Sequence, residues 1–327
     1  MLGCLHVTQP GASLTFLLTL LGLLLLLQLS NMSFYWAVMT EMKRWKTASC
    51  LKLSEIQHLF QLNYNPSYVF APPTDFCAKH DYLVVYQTRV DDTEKRDFFR
   101  RTFRSDAQQY NFTILFPVGL SWNSTVNEAV IQEHQRCGDI LQADFLDTYR
   151  NLTFKTYAHS HYVTQNCTNV RVVLKIDDDI AWNVKLMFDY LSNITLEENS
   201  LHCRTVETPL VDRNSSSKWY VSEEEYSQNY FPEYCLSPIY AATPHTITKL
   251  HDRTNNAPHI WVDDVFSTGL VGREAGVSFR NLSVNVNWHD YAPFLEGTVV
   301  AQYLNSLDDM STLLQATDSN NSSSQYL

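Results

Sequence analysis

Val170-Arg171-Val172-Val173-Leu174-Lys175-Ile176 runs without interruption into Asp177-Asp178-Asp179. An apolar, β-branched run over 169–176 reads as a strand buried on both faces, and the three acids stand at its carboxyl end. Other segments supply the alternation such a strand needs. Asp81–Tyr86 and Phe112–Phe116 read as further strands, and Thr93–Arg104, Asn127–Arg136 and Asn151–Gln165 read as helices. Strands alternating with helices predict an α/β domain with a mostly parallel central sheet flanked by helices. Ligands of such sheets bind beyond the carboxyl ends of the strands, where the triple aspartate falls.

Adjacent carboxylates raise one another's pKa, and a divalent cation taking oxygen ligands from them removes that cost. Such a cation can also stabilise a departing diphosphate. A solvated acidic turn is the plainer account of an isolated triplet. An EF-hand loop does not fit, because Ile180-Ala181-Trp182 follow with no glycine at the turning position. A second acidic feature is Asp263-Asp264 within Trp261-Val262-Asp263-Asp264-Val265-Phe266-Ser267-Thr268-Gly269. A carboxylate in so apolar a stretch can serve as a general base towards a hydroxyl, or it can cap a helix. Arg96 and Arg100 share one helix face at i,i+4 spacing, where they could meet phosphates, pair with acids or face solvent.

At 327 residues and 45% hydrophobic content the chain can bury one substantial core. Its net charge of −11, with no large Lys/Arg cluster, argues against nucleic acid as a partner. Asn111, Asn123, Asn151, Asn166, Asn193, Asn214, Asn281, Asn320 and Asn321 open N-x-Ser/Thr triplets, a density that points to the secretory lumen. Cys77, Cys137, Cys167, Cys203 and Cys235 lie in the expected globular part, with Cys50 and Cys4 before it. That compartment permits disulfides, the odd count leaves the pairing open, and the absence of a CxxC pair disfavours zinc.

Residues 14–39 are apolar enough to span a bilayer, with a cleaved signal peptide as the competing reading. Lys43, Arg44 and Lys46 follow the span, which by charge alone favours the opposite orientation. The sequons outweigh them. The layout expected is a cytoplasmic tail over 1–13, a signal-anchor over 14–39, a stem over 40–75 with a short helix at Leu51–Leu62, a luminal domain over 76–300, and a C-terminal helix with a polar, disordered tail over 301–327.

The order of several blocks resembles glycosyltransferase family 31, the β-1,3-galactosyl- and N-acetylhexosaminyltransferases of the Golgi. Arg96-Asp-Phe-Phe-Arg100-Arg-Thr102-Phe103 resembles its R-x-x-I-R-x-T-W opening, with phenylalanine in place of tryptophan. Gly138-Asp139-Ile140, then Asp144-Phe145-Leu-Asp147-Thr-Tyr149-Arg-Asn151-Leu152-Thr153-Phe-Lys155-Thr156, is similar to G-D-I…D-F-x-D-x-Y-x-N-L-T-x-K-T. Lys218-Trp219-Tyr-Val221, with Tyr230, Pro232, Tyr234-Cys235 and Tyr240, resembles K-W-x-V…Y-P-x-Y-C, and Asp263-Asp264-Val265 with Gly269 and Gly276-Val277 resembles E-D-V-x-x-G…G-V. The likeness covers about 81–277.

The resemblance implies a GT-A-like glycosyltransferase fold, a UDP-sugar donor, Mn²⁺, inversion at the anomeric carbon, and a glycan acceptor on glycoprotein or glycolipid. It assigns Asp264 as the catalytic base. Arg96, Arg100, Asp177 and Asp178 become candidates for the donor, and Trp219 and Tyr240 for the acceptor. Asp179 and Asp177 become metal ligands, with His289 as the candidate third. A type II protein of the Golgi membrane follows. One departure stands out. Leu236-Ser237-Pro238-Ile239 replaces the glycines the family usually carries after the Tyr-Cys pair, which makes a silent, glycan- or protein-binding relative the alternative.

Overall fold

The computed structural model describes residues 64–194, 198–287, 289–304 and 306–323. All belong to one compact unit, Gln61–Leu327. The expected tail, anchor and Leu51–Leu62 helix lie outside the described residues. Among the described residues no helix is long and apolar enough to cross a membrane.

The first strands and helices alternate as the sequence predicts. They run β1 (Tyr68–Phe70), β2 (Tyr82–Gln87), α1 (Thr93–Thr102), α2 (Arg104–Tyr110), β3 (Phe112–Leu120), α3 (Ser124–Cys137), β4 (Ile140–Leu146), α4 (Leu152–Asn166) and β5 (Val172–Asp177). After them come β6 (Ile180–Trp182), α5 (Val184–Asn193), β7 (Ser200–Val206), β8 (Tyr234–Ala242) and α6 (Pro244–Arg253). A π-helical segment, Val265–Leu270, leads into α7 (Val271–Ala275). The chain finishes with β9 (Ser278–Asn281), β10 (Val284–Asn285), α8 (Ala292–Leu295), β11 (Ala301–Tyr303) and α9 (Leu307–Ser323).

The large sheet has the order β1-β4-β3-β2-β5-β8-β7-β9. Its central strands β4, β3, β2 and β5 are mutually parallel, while β8 joins β5 antiparallel and β1 caps β4 antiparallel. Side chains alternate across this sheet with period two. Tyr82, Val84 and Tyr86 enter one core with Val172, Leu174 and Ile176. Leu83, Val85 and Val173 enter the other, under α4, α6 and the π-helix. Both faces are covered, which is why β2 and β5 read as nearly continuous apolar runs. β2 and β5 end in register, Gln87 beside Asp177, so the triple aspartate emerges at the sheet's carboxyl edge next to the start of α1.

Several expectations change. The predicted stem ends earlier, because Tyr68–Phe70 pairs with β4 and the Tyr64 hydroxyl donates to Asp144 Oδ1 at 2.9 Å. A strand so short carries too little pattern to show in sequence. The helix expected over Thr93–Arg104 divides at Phe103, whose ring is buried and packs 5.4 Å from Trp182. At the other end, α9 continues to Ser323, past the point where a polar tail was expected, and Met310, Leu313 and Leu314 bury against the core. Cys77–Cys167 and Cys203–Cys235 are disulfides, and Cys137 is free.

Candidate active site

The alternation that buries Val173 also sends Lys175 and Asp177 to the same face of β5, towards the π-helix. Lys175 is 2% exposed, and its Nζ donates to Asp177 Oδ1 at 2.6 Å. Burial alone would lower its pKa, but Asp177, Asp264 and Asp263 outweigh that and hold the ammonium charged. Asp177 feels burial first, with Asp179 and Asp264 adding to it, and is pushed up to about 8 despite Lys175. Burial also raises Asp178, against the pull of Lys95, whose Nζ lies 3.2 Å from Asp178 Oδ1. Asp179 is raised by burial and by Asp178. The strand end therefore carries more acid than its cations neutralise.

The second acidic motif sits opposite. Asp263 is buried and accepts from Thr156 Oγ1 at 2.8 Å and from Ser267 Oγ at 2.7 Å. Thr156 in turn accepts from Gln87 Nε2 at 3.0 Å, which ties the end of β2 to this acid. Thr268 Oγ1 donates to the carbonyl of Asp264 at 2.6 Å and accepts from Cys235 N at 3.0 Å. Asp263 is thus an anchor, and Asp264, partly exposed, faces the aspartates. Neither carboxylate caps the helix in the manner that the motif also allowed. The segment that follows them, Val265–Leu270, is a π-helix, a widening of the backbone that often marks functional positions.

Besides the buried Tyr240, three phenols surround these acids. Tyr303 is raised by burial and then by Asp177, Asp264 and Asp179. Tyr149, half-exposed, is raised by burial and by the same acids, against a hydrogen bond with Trp219. Tyr234 is pushed up to about 12 by burial and by Asp264. Trp219 is 52% exposed, and Lys218 Nζ lies 4.9 Å from its ring centre and 5.2 Å from that of Tyr149. A protonatable acid, an acid-rich strand end and an aromatic rim therefore share one edge of the sheet.

Not every residue singled out in the sequence comes here. Arg96 is fully buried and donates to Glu133 through Nε at 2.9 Å and Nη2 at 2.7 Å, and to the Arg89 carbonyl at 2.6 Å. Arg100 grips Asp139 bidentately, both bonds at 2.7 Å, and also reaches Asp97. Both arginines, expected at the donor, are committed here to holding α1 against α3 and β4. Tyr240, 4% exposed on β8, does reach the site from beneath, where its phenol feels Lys175, Asp263, Asp177 and Asp264, but it offers an acceptor no surface. His289 is exposed, in a turn whose amide is held by Asn287 Oδ1. Among the described residues no three His, Cys, Asp or Glu side chains are grouped to hold a metal ion, so Asp177, Asp179 and His289 do not form a ready-made ligand set.

The acids still fit a divalent cation in their chemistry. They are oxygen donors whose crowding and burial oppose ionisation, and a cation sharing its ligands with a diphosphate needs only one or two carboxylates from the protein.

The sequence reading missed Lys95, Lys175, Tyr149, Tyr303 and Thr156. Lys175 had a signal, since it is a cation set between Leu174 and Ile176 in the apolar run just before the aspartates. Lys95 lies in the first turn of the helix that follows β2, the place that faces the carboxyl edge. The acids of the G-D-I…D-F-x-D block prove structural: Asp139 binds Arg100, Asp144 binds Tyr64, and Asp147 binds Lys155 at 2.9 Å. Leu236–Ile239 is part of β8. Its partner β7 steps from Cys203↔Tyr240 to Arg204↔Leu236, leaving a bulge that contains Pro238, where the ladder asks for no donor.

The family model described as Galactosyltransferase matches residues 94–283. Beta-1,3-galactosyltransferase 5 of Homo sapiens is 33% identical over 157 residues, 46% of this chain and 49% of that protein. Lactosylceramide 1,3-N-acetyl-beta-D-glucosaminyltransferase of Xenopus tropicalis is 26% identical over 264 residues, 75% of this chain and 69% of that protein. UDP-GalNAc:beta-1,3-N-acetylgalactosaminyltransferase 1 of Homo sapiens is 26% identical over 219 residues, 64% and 62% of the two chains. The chain spans about half the length of the curated relatives it matches at 32–33% identity. Among solved structures, the galactosyltransferase LgtC in complex with donor and acceptor sugar analogues is 12% identical with a TM-score of 0.41, covering 72% of this chain and 95% of that one.

Proposed function

This chain belongs to the galactosyltransferase family, and from that membership we propose that it is an inverting β-1,3-hexosyltransferase. It moves galactose or an N-acetylhexosamine from a UDP-sugar to a glycan on a glycoprotein or glycolipid. The observation that carries this reading is the meeting of the two acidic motifs across Lys175, inside the span that the family model matches. Asp264 takes the proton of the acceptor's 3-hydroxyl as that oxygen attacks the anomeric carbon. The bond from that carbon to the UDP oxygen breaks on the opposite side, and a single displacement inverts the centre. Asp179, with Asp177, would hold a divalent cation of the Mn²⁺ class, which supplies charge neutralisation for the departing diphosphate. Lys175 keeps Asp177 oriented, Asp263 fixes the helix turn behind Asp264, and Trp219 and Tyr149 offer ring faces to the acceptor sugar.

A Golgi location with the domain in the lumen and a single N-terminal span agrees with the apolar run at 14–39 and with the exposed sequon asparagines Asn111, Asn123, Asn214 and Asn281. The test is UDP release by the full-length protein from a panel of UDP-hexoses and UDP-N-acetylhexosamines, with Mn²⁺ and β-linked glycan acceptors. Acceptor-dependent release from one donor is expected. A folded protein silent across the panel returns the question to the non-catalytic, glycan-binding alternative.

A further inference from the structure

We propose that a groove walled by residues 226–232 is a subsite for the oligosaccharide that trails behind the acceptor's terminal sugar. The inference rests on the transferase reading above and adds a second point of contact with the same substrate. The groove is a cavity of about 490 Å³, lined by Tyr226, Gln228, Asn229, Tyr230, Phe231 and Arg273. Its size falls within the range of small-ligand sites. Its chemistry is that of a sugar site. Flat aromatic faces pair with the C–H faces of a pyranose, while side-chain amides and a guanidinium reach its hydroxyls.

The wall is built to stay in place, although it contains no regular strand or helix. Arg213 donates to the carbonyls of Val221 at 2.7 Å, Tyr226 at 2.6 Å and Gln228 at 2.9 Å. Val211 N donates to the Asn229 carbonyl at 2.9 Å, Phe231 N donates to the Pro209 carbonyl at 2.9 Å, and Leu210 bridges Tyr230. On this fixed backbone the Tyr230 side chain is left 58% exposed. The pinned backbone fixes where the ring is attached, so stacking on it costs less entropy than it would on a loose loop.

The groove also joins the candidate active site. Pro232 and Tyr234 lie directly on Gly269 of the π-helix, where an added Cβ would come within 3.0 Å of Tyr234 Cβ and 3.4 Å of Pro232 Cγ. That close approach favours glycine and sets the wall against the helical run that has Asp264 near its start and Arg273 near its end. An acceptor whose terminal hydroxyl reaches Asp264 can thus extend its next sugars along Tyr234 and Pro232 towards Tyr230.

The experiment compares acceptors of different length on the full-length protein and its Tyr230→Ala and Arg273→Ala variants. Both side chains are exposed, so the variants should melt with the parent. With a tetrasaccharide acceptor, Tyr230→Ala should raise KM about tenfold, the loss of one aromatic stacking contact. Neither kcat nor the KM for the UDP-sugar should move, and the KM for a monosaccharide glycoside with the same terminal sugar should stay unchanged. Equal effects on both acceptors, or none on either, would overturn the proposal. Saturation-transfer NMR with the tetrasaccharide alone supplies a readout free of turnover, with contacts at the reducing-end sugars expected in the parent and lost in Tyr230→Ala. If the parent turns nothing over yet shows those contacts, the transferase reading fails and the groove stands. Turnover without any dependence on acceptor length would instead leave the transferase and remove the groove.

Discussion

Two charge clusters lie on the two sides of helix α1, and neighbouring residues serve them. Arg96 points towards α3, into a network with Glu133, while Lys95 points towards the aspartates at the end of β5. In the first cluster each acid named meets a guanidinium at 2.7 Å, and burial's upward push on Glu133 is overcome by Arg96 and Arg100, leaving its pKa lowered. In the second cluster Asp177, Asp178 and Asp179 are all raised, in spite of Lys175 and Lys95. A saturated network is what a structural ion pair requires, because an unpartnered buried charge is costly. An acid excess at the edge of a sheet is what a site awaiting a cationic or protonic partner shows.

The difference can be broken by mutation. Arg96→Met leaves Glu133, 1% exposed, without its bidentate partner and should cost about 3–5 kcal/mol of stability in chemical denaturation. The donor KM of whatever protein stays folded should not change, and a raised donor KM with unchanged stability would return Arg96 to the site. Lys95→Ala should do the reverse. Its 22% exposed ammonium contributes little to folding, so the melting temperature holds while the KM for the UDP-sugar rises about tenfold.

The two clusters should also answer pH with opposite signs. Asp177 is raised from 3.8 to about 8, so between those values the folded state binds more protons than the unfolded one, and this group's contribution to stability falls as pH rises. Measured against the parent, Asp177→Asn should therefore gain melting temperature as pH rises from 4 towards 8, while reducing turnover. Glu133 is lowered, so its contribution is present above its ordinary pKa of 4.5 and is lost as pH falls through the lowered value. Glu133→Gln should destabilise the protein at neutral pH, and the penalty should shrink in acid. Matching pH profiles for the two variants would erase the distinction between the clusters.

The same distinction marks what could be read in the sequence. Period and β-branching located β2, β3 and β5, because strands buried on both faces have little freedom in composition. The triple aspartate and Asp264 were legible because acids are conspicuous at the end of an apolar run. Arg96 and Arg100 misled for a geometric reason. The i,i+4 rule says that two residues share a helix face but not which neighbour that face meets. Here it meets α3, and the residue that turns to the site is Lys95. Tyr303 was out of reach, since a three-residue strand far along the chain delivers it, and only the pairing of β11 with β6 places it beside Asp177. Leu236–Ile239 stood out in the sequence for its proline and for the glycines it replaces, and a bulge accommodates that proline within β8.

Asp263 and Asp264 are adjacent and chemically alike, and the structure gives them different work. The most direct test measures UDP release and thermal melting for Asp264→Asn and Asp263→Asn beside the parent. Asp264→Asn should melt with the parent and lose about a thousandfold in kcat, within the range for removal of a general base. Asp263→Asn should lower the melting temperature, because its buried carboxylate anchors Thr156 and Ser267. Full turnover by Asp264→Asn would contradict the assignment of the base.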